Sequence, residues 1–368
     1  MAERGHTVAM WCYAREKREI PWRGVRIRTA PHLPLRHARE LSFQVCLFAR
    51  LVMSFARQRP DLVYVRNGAI DFAPVVASGL FRIPLVIEFP GPPLEEGQLM
   101  GATSLKLWAM RRLLALKLRA AHGITAVTEG ILEQMRRDFE TRTSRVAVIE
   151  NGANTDLFQP VERGAARALL GLTLQGPVVC FVGNLHIWQG LEVLVEAVAI
   201  ARRARDLRVL IVGGGPLRRG LEERAASLGL TGTFAFTGSV DYAAVPLFIS
   251  ASDVGVAPLL PKPSGDSGYS PLKVYEYLAC GRPVVASRVK GLEFIEEQHV
   301  GRLAEPNDPV SLAEALVTLV KEPESERDEM GARGRRLIEK QHTWGTVARR
   351  TETYLGEVLA TAICLRFG

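Results

Sequence analysis

Ser270–Ser287 reads SPLKVYEYLACGRPVVAS. Ser270 is a good N-cap, and Pro271 suits a first helical position. Gly281 sits where a helix stops in a left-handed turn, and Pro283 forbids its continuation. Val284, Val285 and Ala286 then read as a buried strand. Within the helix, Lys273 lies in the first turn, where the helix dipole disfavours a cation by about 0.3–1 kcal/mol. Glu276 follows one turn later on the neighbouring face. A lysine beside free backbone N–H groups is reasonable if an anion binds there, and phosphate is the natural candidate. The plainer reading is a surface Lys–Glu pair, which contributes little.

The helix-then-strand pattern recurs along the chain. Short apolar runs at Leu62–Val65, Leu85–Ile87, Ile124–Val127 and Val146–Ile149 alternate with amphipathic segments near Phe72–Leu80 and Ile131–Phe139. Thr128 is placed to cap the second of these. After the turn-rich stretch Asn151–Gly164, read as a linker, the alternation restarts with strands at Val178–Val182, Arg208–Val212, Phe234–Thr237 and Val254–Ala257. Helices fall between them near Leu191–Ala204, Arg219–Leu228 and Ala243–Ser250. Strands alternating with helices imply parallel sheets covered on both faces. The expectation is an α/β protein of two doubly wound domains, 1–155 and 156–344, with the C-terminal helix 345–368 returning to the first. Ligands of such folds bind beyond the carboxyl ends of the strands, here in the cleft between domains. The N-terminus, Arg4-Gly5-His6 then Thr7–Trp11, reads as a helix end followed by a strand. Either the start is misassigned or the first sheet lacks its first strand.

The 368 residues carry a net charge of +8. Residues 1–160 hold 23 Lys and Arg against 15 Asp and Glu, and the remainder holds 24 against 24, so the whole excess lies in the first part. That points to an acidic partner, an anionic lipid surface or a phosphorylated substrate, or to simple solubility. No nucleic-acid module accompanies the charge, so nucleic acid is not expected as a partner. The helix Ser104–Arg119 sets Lys106, Arg111, Arg112, Lys117 and Arg119 among six leucines, Trp108 and Met110. It can lie on an anionic membrane, or pack its leucines on a sheet with its cations in water. Five scattered cysteines form no CxxC or Cys/His cluster, so neither a disulfide framework nor a zinc site is indicated. A cytoplasmic location fits, with no signal peptide and no membrane span expected.

Val212-Gly213-Gly214-Gly215-Pro216 links a strand to a helix, but Arg218 takes the last position of a GxGxxG fingerprint and no Walker lysine follows. A P-loop is rejected, and the glycines are read as permitting close backbone approach. Phe181-Val182-Gly183-Asn184-Leu185 ends another strand at a glycine turn, a place for a diphosphate or sugar. Pro258–Ser270 is a long Pro/Gly/Ser loop of the kind that carries function. There is no DxD, HExxH or GxSxG, so neither a metal-chelated diphosphate nor an acyl-transfer triad has its usual residues. No cofactor or metal is expected.

In these segments the chain resembles the GT-B-fold, retaining glycosyltransferases of family 4. AERGHTV, ITAVTEGI, VIENGANTDLFQP, FVGNLHIWQGLEVLVEA, VLIVGGGPLRRGLE, FTGSV and ASDVGVAP stand in that family's order. SPLKVYEYLACGRPVVAS is the most specific piece, and HTWGTVARRTETYLGEVL resembles the final helix that crosses back. The resemblance implies a nucleotide-sugar donor and a lipid-linked or polysaccharide-precursor acceptor. Glu276 matches the second Glu of the family's E-x7-E motif, which binds the donor ribose. The first falls at Gly268, where no carboxylate stands. The family's phosphate-binding Arg and Lys fall at Asn184 and Gln189, so both cations are missing. Lys273 is then the candidate for diphosphate stabilisation, with backbone groups around Ser270, Pro271, Leu272 and Gly183. Gly238, Ser239 and Val240 resemble the base-contacting segment, and Glu88 is an acceptor-side candidate. A binding or scaffold protein with a decayed site, and a nucleotide-sugar epimerase, are the alternative functions.

Overall fold

The computed structural model describes residues 1–13, 24–33, 39–68, 70–141, 143–173, 176–263 and 267–367. They divide into two compact units, Met1–Ile149 with Ala348–Gly368, and Glu150–Val347. The chain passes between units after Ile149 and again after Val347.

In the first unit, β1 (Val8–Tyr13) and β2 (Val25–Ala30) pair in parallel, from Val8 opposite Val25 to Tyr13 opposite Ala30. A second parallel sheet runs β3 (Val63–Arg66), β4 (Leu85–Phe89), β5 (Gly123–Ala126), β6 (Val146–Val148). Among the described residues no ladder joins the two sheets. The helix Arg39–Arg57 buries Phe43, Leu47, Leu51 and Phe55, a strict four-residue spacing that makes one apolar stripe. The stripe packs on Ala73 and Ala77 of the helix Ala73–Phe81. Thr128 caps the helix Glu129–Asp138 through Ile131 N–H, as its sequence position suggests.

The helix Ser104–Ala120 departs from the pattern of leucines inside and cations outside. Leu114 and Leu118 do pack on Ile87, Phe89 and Ile124. Lys117 is inside with them, 2% exposed. Its Nζ donates to Asn67 Oδ1 at 2.6 Å and to Gly68 O at 2.9 Å, and lies 3.8 Å from the Asp71 carboxylate. Leu105, Trp108 and Leu116 face outward instead. Tyr354, on the last helix Trp344–Phe367, places its hydroxyl 2.8 Å from Arg145 O and 3.1 Å from Ile124 O.

The second unit holds one six-stranded parallel sheet: β7 (Val178–Val182), β8 (Arg208–Val212), β9 (Phe234–Gly238), β10 (Val254–Ala257), β11 (Val284–Ser287) and β12 (Gly301–Ala304). Their spatial order is β12-β11-β10-β7-β8-β9. Counted from β9 this is third, second, first, fourth, fifth, sixth, the doubly wound order whose direction reverses between β7 and β10. Every residue of β7 is buried. Val179 and Phe181 enter one core cluster, while Val178, Cys180 and Val182 enter the other. That alternation follows from the two-residue period of a strand covered on both faces.

Candidate functional site

At the reversal between β7 and β10, where doubly wound sheets place their ligands, the loops leaving these two strands pack on each other, Leu260 N–H donating to Trp188 O at 3.1 Å. The loop after β7 runs from Gly183 to Gly190 and enters the helix Leu191–Ala201. The loop after β10, of which residues 264–266 lie outside the described residues, leads into the helix Leu272–Ala279. That helix begins one residue later than its sequence suggests, with Pro271 as an extended N-cap and no side-chain cap bond. Ser270 does not cap. Its Oγ accepts from Asn151 N–H at 3.0 Å and lies 3.1 Å from the Tyr275 hydroxyl, while Asn151 Nδ2 donates to Ser270 O at 2.7 Å. Tertiary partners have taken the oxygen that would otherwise have served the helix. The first turn therefore presents its N–H groups, and the positive end of its dipole, without a side-chain acceptor. The other end behaves as read: Gly281 is left-handed, φ 68°.

Seven of the eight residues of this helix are buried, Lys273 and Glu276 among them at 8% and 6% exposure. The surface-pair reading does not hold. Lys273 Nζ donates to Gln189 Oε1 at 2.6 Å and sits 3.7 Å above the Phe181 ring. Burial pulls this amine down to about 7, against the opposing pull of Glu276 and Cys180. Glu276 Oε1 accepts from the Tyr242 hydroxyl at 2.9 Å. Burial raises the Glu276 carboxyl above its usual range, and the Tyr242 hydrogen bond and the Lys273 charge pull it back. A buried cation and a buried carboxylate, each held by a neutral partner rather than by each other, are costly to keep out of water. Such groups, at a sheet reversal and beside an uncapped helix start, are the candidate site of this unit.

The triple glycine after β8 packs against the loop after β7. A Cβ on Gly213 would overlap the Gly183 carbonyl, and one on Gly215 would fall 2.6 Å from the Leu185 backbone. The loops after β7 and β8 thus lie backbone against backbone, tied by Leu185 N–H to Gly214 O at 3.0 Å. The expected close approach is that of one loop to another.

Residues 1–152 match the family described as "Glycosyl transferase 4-like domain", and residues 176–322 match "Glycosyl transferases group 1". The chain is a group 1 glycosyltransferase of GT-B fold. It is 29% identical to alpha-maltose-1-phosphate synthase of Mycolicibacterium smegmatis, over 83% of this chain and 81% of that one. Its fold is similar to that of a sucrose-phosphate synthase from Thermosynechococcus elongatus, with TM-score 0.80 and 22% identity over 98% of this chain and 91% of the other. It is also similar to Anabaena HepE in complex with UDP-glucose, with TM-score 0.72 and 20% identity over 90% and 86%.

Within this glycosyltransferase, the candidate donor residues all lie in the second unit, and Gln189 and Lys273 are in direct contact. Gln189 reaches Lys273, but as a neutral acceptor. Asn184 is exposed, and its carbonyl accepts from His186 N–H at 3.1 Å. Gly183 needs a correction: its N–H, expected to face an anion, donates to Val212 O at 2.9 Å and continues the sheet ladder. Gly238 closes β9 and accepts from Gly213 N–H at 2.9 Å; Ser239 is exposed, and Val240 packs on the core. The Gly268 carbonyl accepts from Lys262 Nζ at 2.6 Å. Leu272 is exposed at the start of the helix. Glu88 belongs to the first unit, opposite Arg66 on β3 and Thr125 on β5, and its backbone carbonyl accepts from Asn67 N–H.

Sequence reading overlooked Tyr242 and Asn151. Tyr242 stands two residues beyond Gly238–Val240, the segment compared with a base-contacting one, and a polar aromatic so near it was the available signal. Asn151 was read only as a turn residue.

Proposed function

We propose that this glycosyltransferase is a retaining, metal-independent hexosyltransferase of family 4 that takes its sugar from a nucleoside diphosphate. The observation that carries this reading is the pair of buried charges, Lys273 and Glu276, on a helix whose N-terminus has no side-chain cap. The diphosphate would lie on that N-terminus with Lys273 as its counter-charge. A carboxylate suits the two donors of a ribose diol, the role for Glu276. The UDP-glucose complex of HepE supports a nucleotide-sugar donor.

In the reaction an acceptor hydroxyl oxygen forms a bond to the anomeric carbon as the bond from that carbon to the diphosphate oxygen breaks. The bonding pair leaves with the diphosphate, whose oxygen takes the hydroxyl proton. Lys273 offsets the charge that grows on the leaving group. The proposed acceptor is a lipid-linked or polysaccharide-precursor glycan, with Glu88 on the acceptor side. The proposed place of action is the cytosolic membrane face. No helix among the described residues is long and apolar enough to cross a membrane. The outward Leu105, Trp108 and Leu116 share the helix Ser104–Ala120 with four outward cations and no acidic residue, which supports contact with anionic lipid.

The test is transfer and binding with purified protein. UDP- and GDP-hexoses with mixed glycan acceptors identify the donor, and calorimetry with UDP and GDP measures the site. Glu276→Ala and Lys273→Ala should each lower kcat/KM at least a hundredfold. Near-normal values for both would refute the site. A non-catalytic binder is the second reading, favoured by the neutral residues at Asn184 and Gln189 and by Gly268. It predicts nucleotide binding that depends on Glu276, with no transfer to any acceptor.

A further inference from the structure

We infer that Tyr242 is a positioning residue for the donor nucleotide: its hydroxyl holds Glu276 so that one carboxylate oxygen is aimed at the ribose. The inference rests on the donor-site reading above. Tyr242 lies on a single 3-10 turn, Tyr242–Ala244, just after β9. Its ring packs at 5.3 Å on the fully buried Phe158, and its hydroxyl donates to Glu276 Oε1 at 2.9 Å. The other oxygen, Oε2, accepts no hydrogen bond among the described residues. The carboxylate is thus half-satisfied: one oxygen is fixed by the protein and the other is left for a ligand. A buried carboxylate with one free oxygen is poorly solvated and accepts strongly from a diol hydroxyl.

The same bond governs ionisation. Lys273 and Tyr277 on the same helix, Cys280 just past its end, and Tyr242 from the turn after β9 are the titratable groups coupled to Glu276. The Cys280 and Tyr277 groups are pushed far up by burial and stay neutral. The Tyr242 hydrogen bond and the Lys273 charge are therefore the two influences that pull the carboxyl down against its burial. Without the phenol, Glu276 protonates at a higher pH, and a protonated acid offers the diol a weaker acceptor.

Tyr242→Phe keeps the ring on Phe158 and removes only the hydroxyl. Calorimetry with UDP and with GDP, each beside its 2′-deoxy form, reads the consequence. The variant should bind the parent nucleotide about tenfold more weakly, the loss expected for one hydrogen bond to a charged group. The 2′-deoxy form should change little, so discrimination for the ribose hydroxyl falls. The acid side of the affinity profile should also move to higher pH. Equal weakening of parent and deoxy nucleotides, or none, overturns the role of Tyr242. Glu276→Ala separates the two levels: if it lowers affinity for the parent nucleotide and Tyr242→Phe does not, only this inference fails. If Glu276→Ala itself changes nothing, the donor-site reading fails and the inference with it. Thermal melting of Tyr242→Phe close to the parent protein confirms that the binding change is local.

Discussion

Lys273 should make nucleotide binding weaken as pH rises above neutrality, and folding should strengthen over the same range. Burial holds this amine at about 7 where an unfolded lysine would sit at 10.5. Between these values the unfolded chain carries the proton and the folded chain does not, so folding stability increases with pH. Below about pH 7 both states are protonated, and the full penalty is present at about 5 kcal/mol, using about 1.4 kcal/mol per pH unit. From pH 7 to pH 9 the wild-type protein should therefore gain about 2 kcal/mol relative to Lys273→Met, which carries no titrating group there. Cys180, pushed up to about 12, stays a neutral thiol and does not confuse the comparison. Binding runs the other way. A diphosphate needs the ammonium form, which falls from about half of the molecules at pH 7 to about 3% at pH 8.5, so UDP affinity should drop about fifteenfold. The terminal phosphate of UDP is already ionised across this window. Urea unfolding at pH 7, 8 and 9, and calorimetry at pH 7 and 8.5, on wild type and Lys273→Met, measure both effects. Unfolding curves that shift in parallel, or a wild-type UDP affinity indifferent to pH, would refute the assignment of the diphosphate charge to Lys273.

Glu276→Gln keeps the size of the side chain, and by removing its charge should weaken nucleotide binding about tenfold or more by calorimetry, while leaving the 2′-deoxy forms less affected. Asp253, 4% exposed, accepts from Val178 N–H at 2.8 Å and lies within 3.4 Å of Arg163, Arg167 and Arg327. Asp253→Asn removes the one carboxylate that all three guanidinium groups share and should cost about 3–5 kcal/mol in urea unfolding; a change under about 1 kcal/mol would show that this shared charge contributes little. Trp108→Ser with Leu105→Ser should reduce co-sedimentation with vesicles rich in phosphatidylserine at low salt without lowering the melting temperature. Equal binding to neutral vesicles would count against an electrostatic contribution.

The sheet of the second unit was readable because its strands are continuous apolar runs broken by glycine turns. Val178–Val182, Arg208–Val212 and Val254–Ala257 fall where the pattern puts them. What failed were statements about who bonds to whom. Ser270 has the chemistry of a cap, yet Asn151, 119 residues away, and Tyr275 claim its oxygen. Gly183 follows a strand in the manner of an anion loop, yet its N–H extends the ladder. Lys117 looks like one more surface cation in a basic helix, and is instead the residue that ties down Asn67 and Gly68. Local propensity is a weak prior that long-range partners override, and hydrogen bonds between distant loops leave no period in a sequence.

The absence of cations at Asn184 and Gln189 alters how the remaining charge must behave. A cation on an exposed loop is fully ionised and well hydrated, and loses that hydration when a diphosphate arrives. Lys273 is already stripped of water, so the cost of desolvating it is met in the folded protein before any ligand binds. Gln189 and Phe181 keep the amine in place while it is neutral or only partly charged. On the proposed reading, arrival of the diphosphate would restore the charge, because an anion favours the protonated amine. One buried lysine poised near neutrality can thus stand in for two exposed cations, at the expense of a binding constant tied to pH. Gln189→Lys tests this directly. It replaces the neutral acceptor now 2.6 Å from Lys273 Nζ by a second amine, which should push the Lys273 amine lower still in the free protein. If the diphosphate is the missing counter-charge, UDP should raise the melting temperature of Gln189→Lys by more than that of the parent protein. A smaller shift would mean that no anion sits between the two positions.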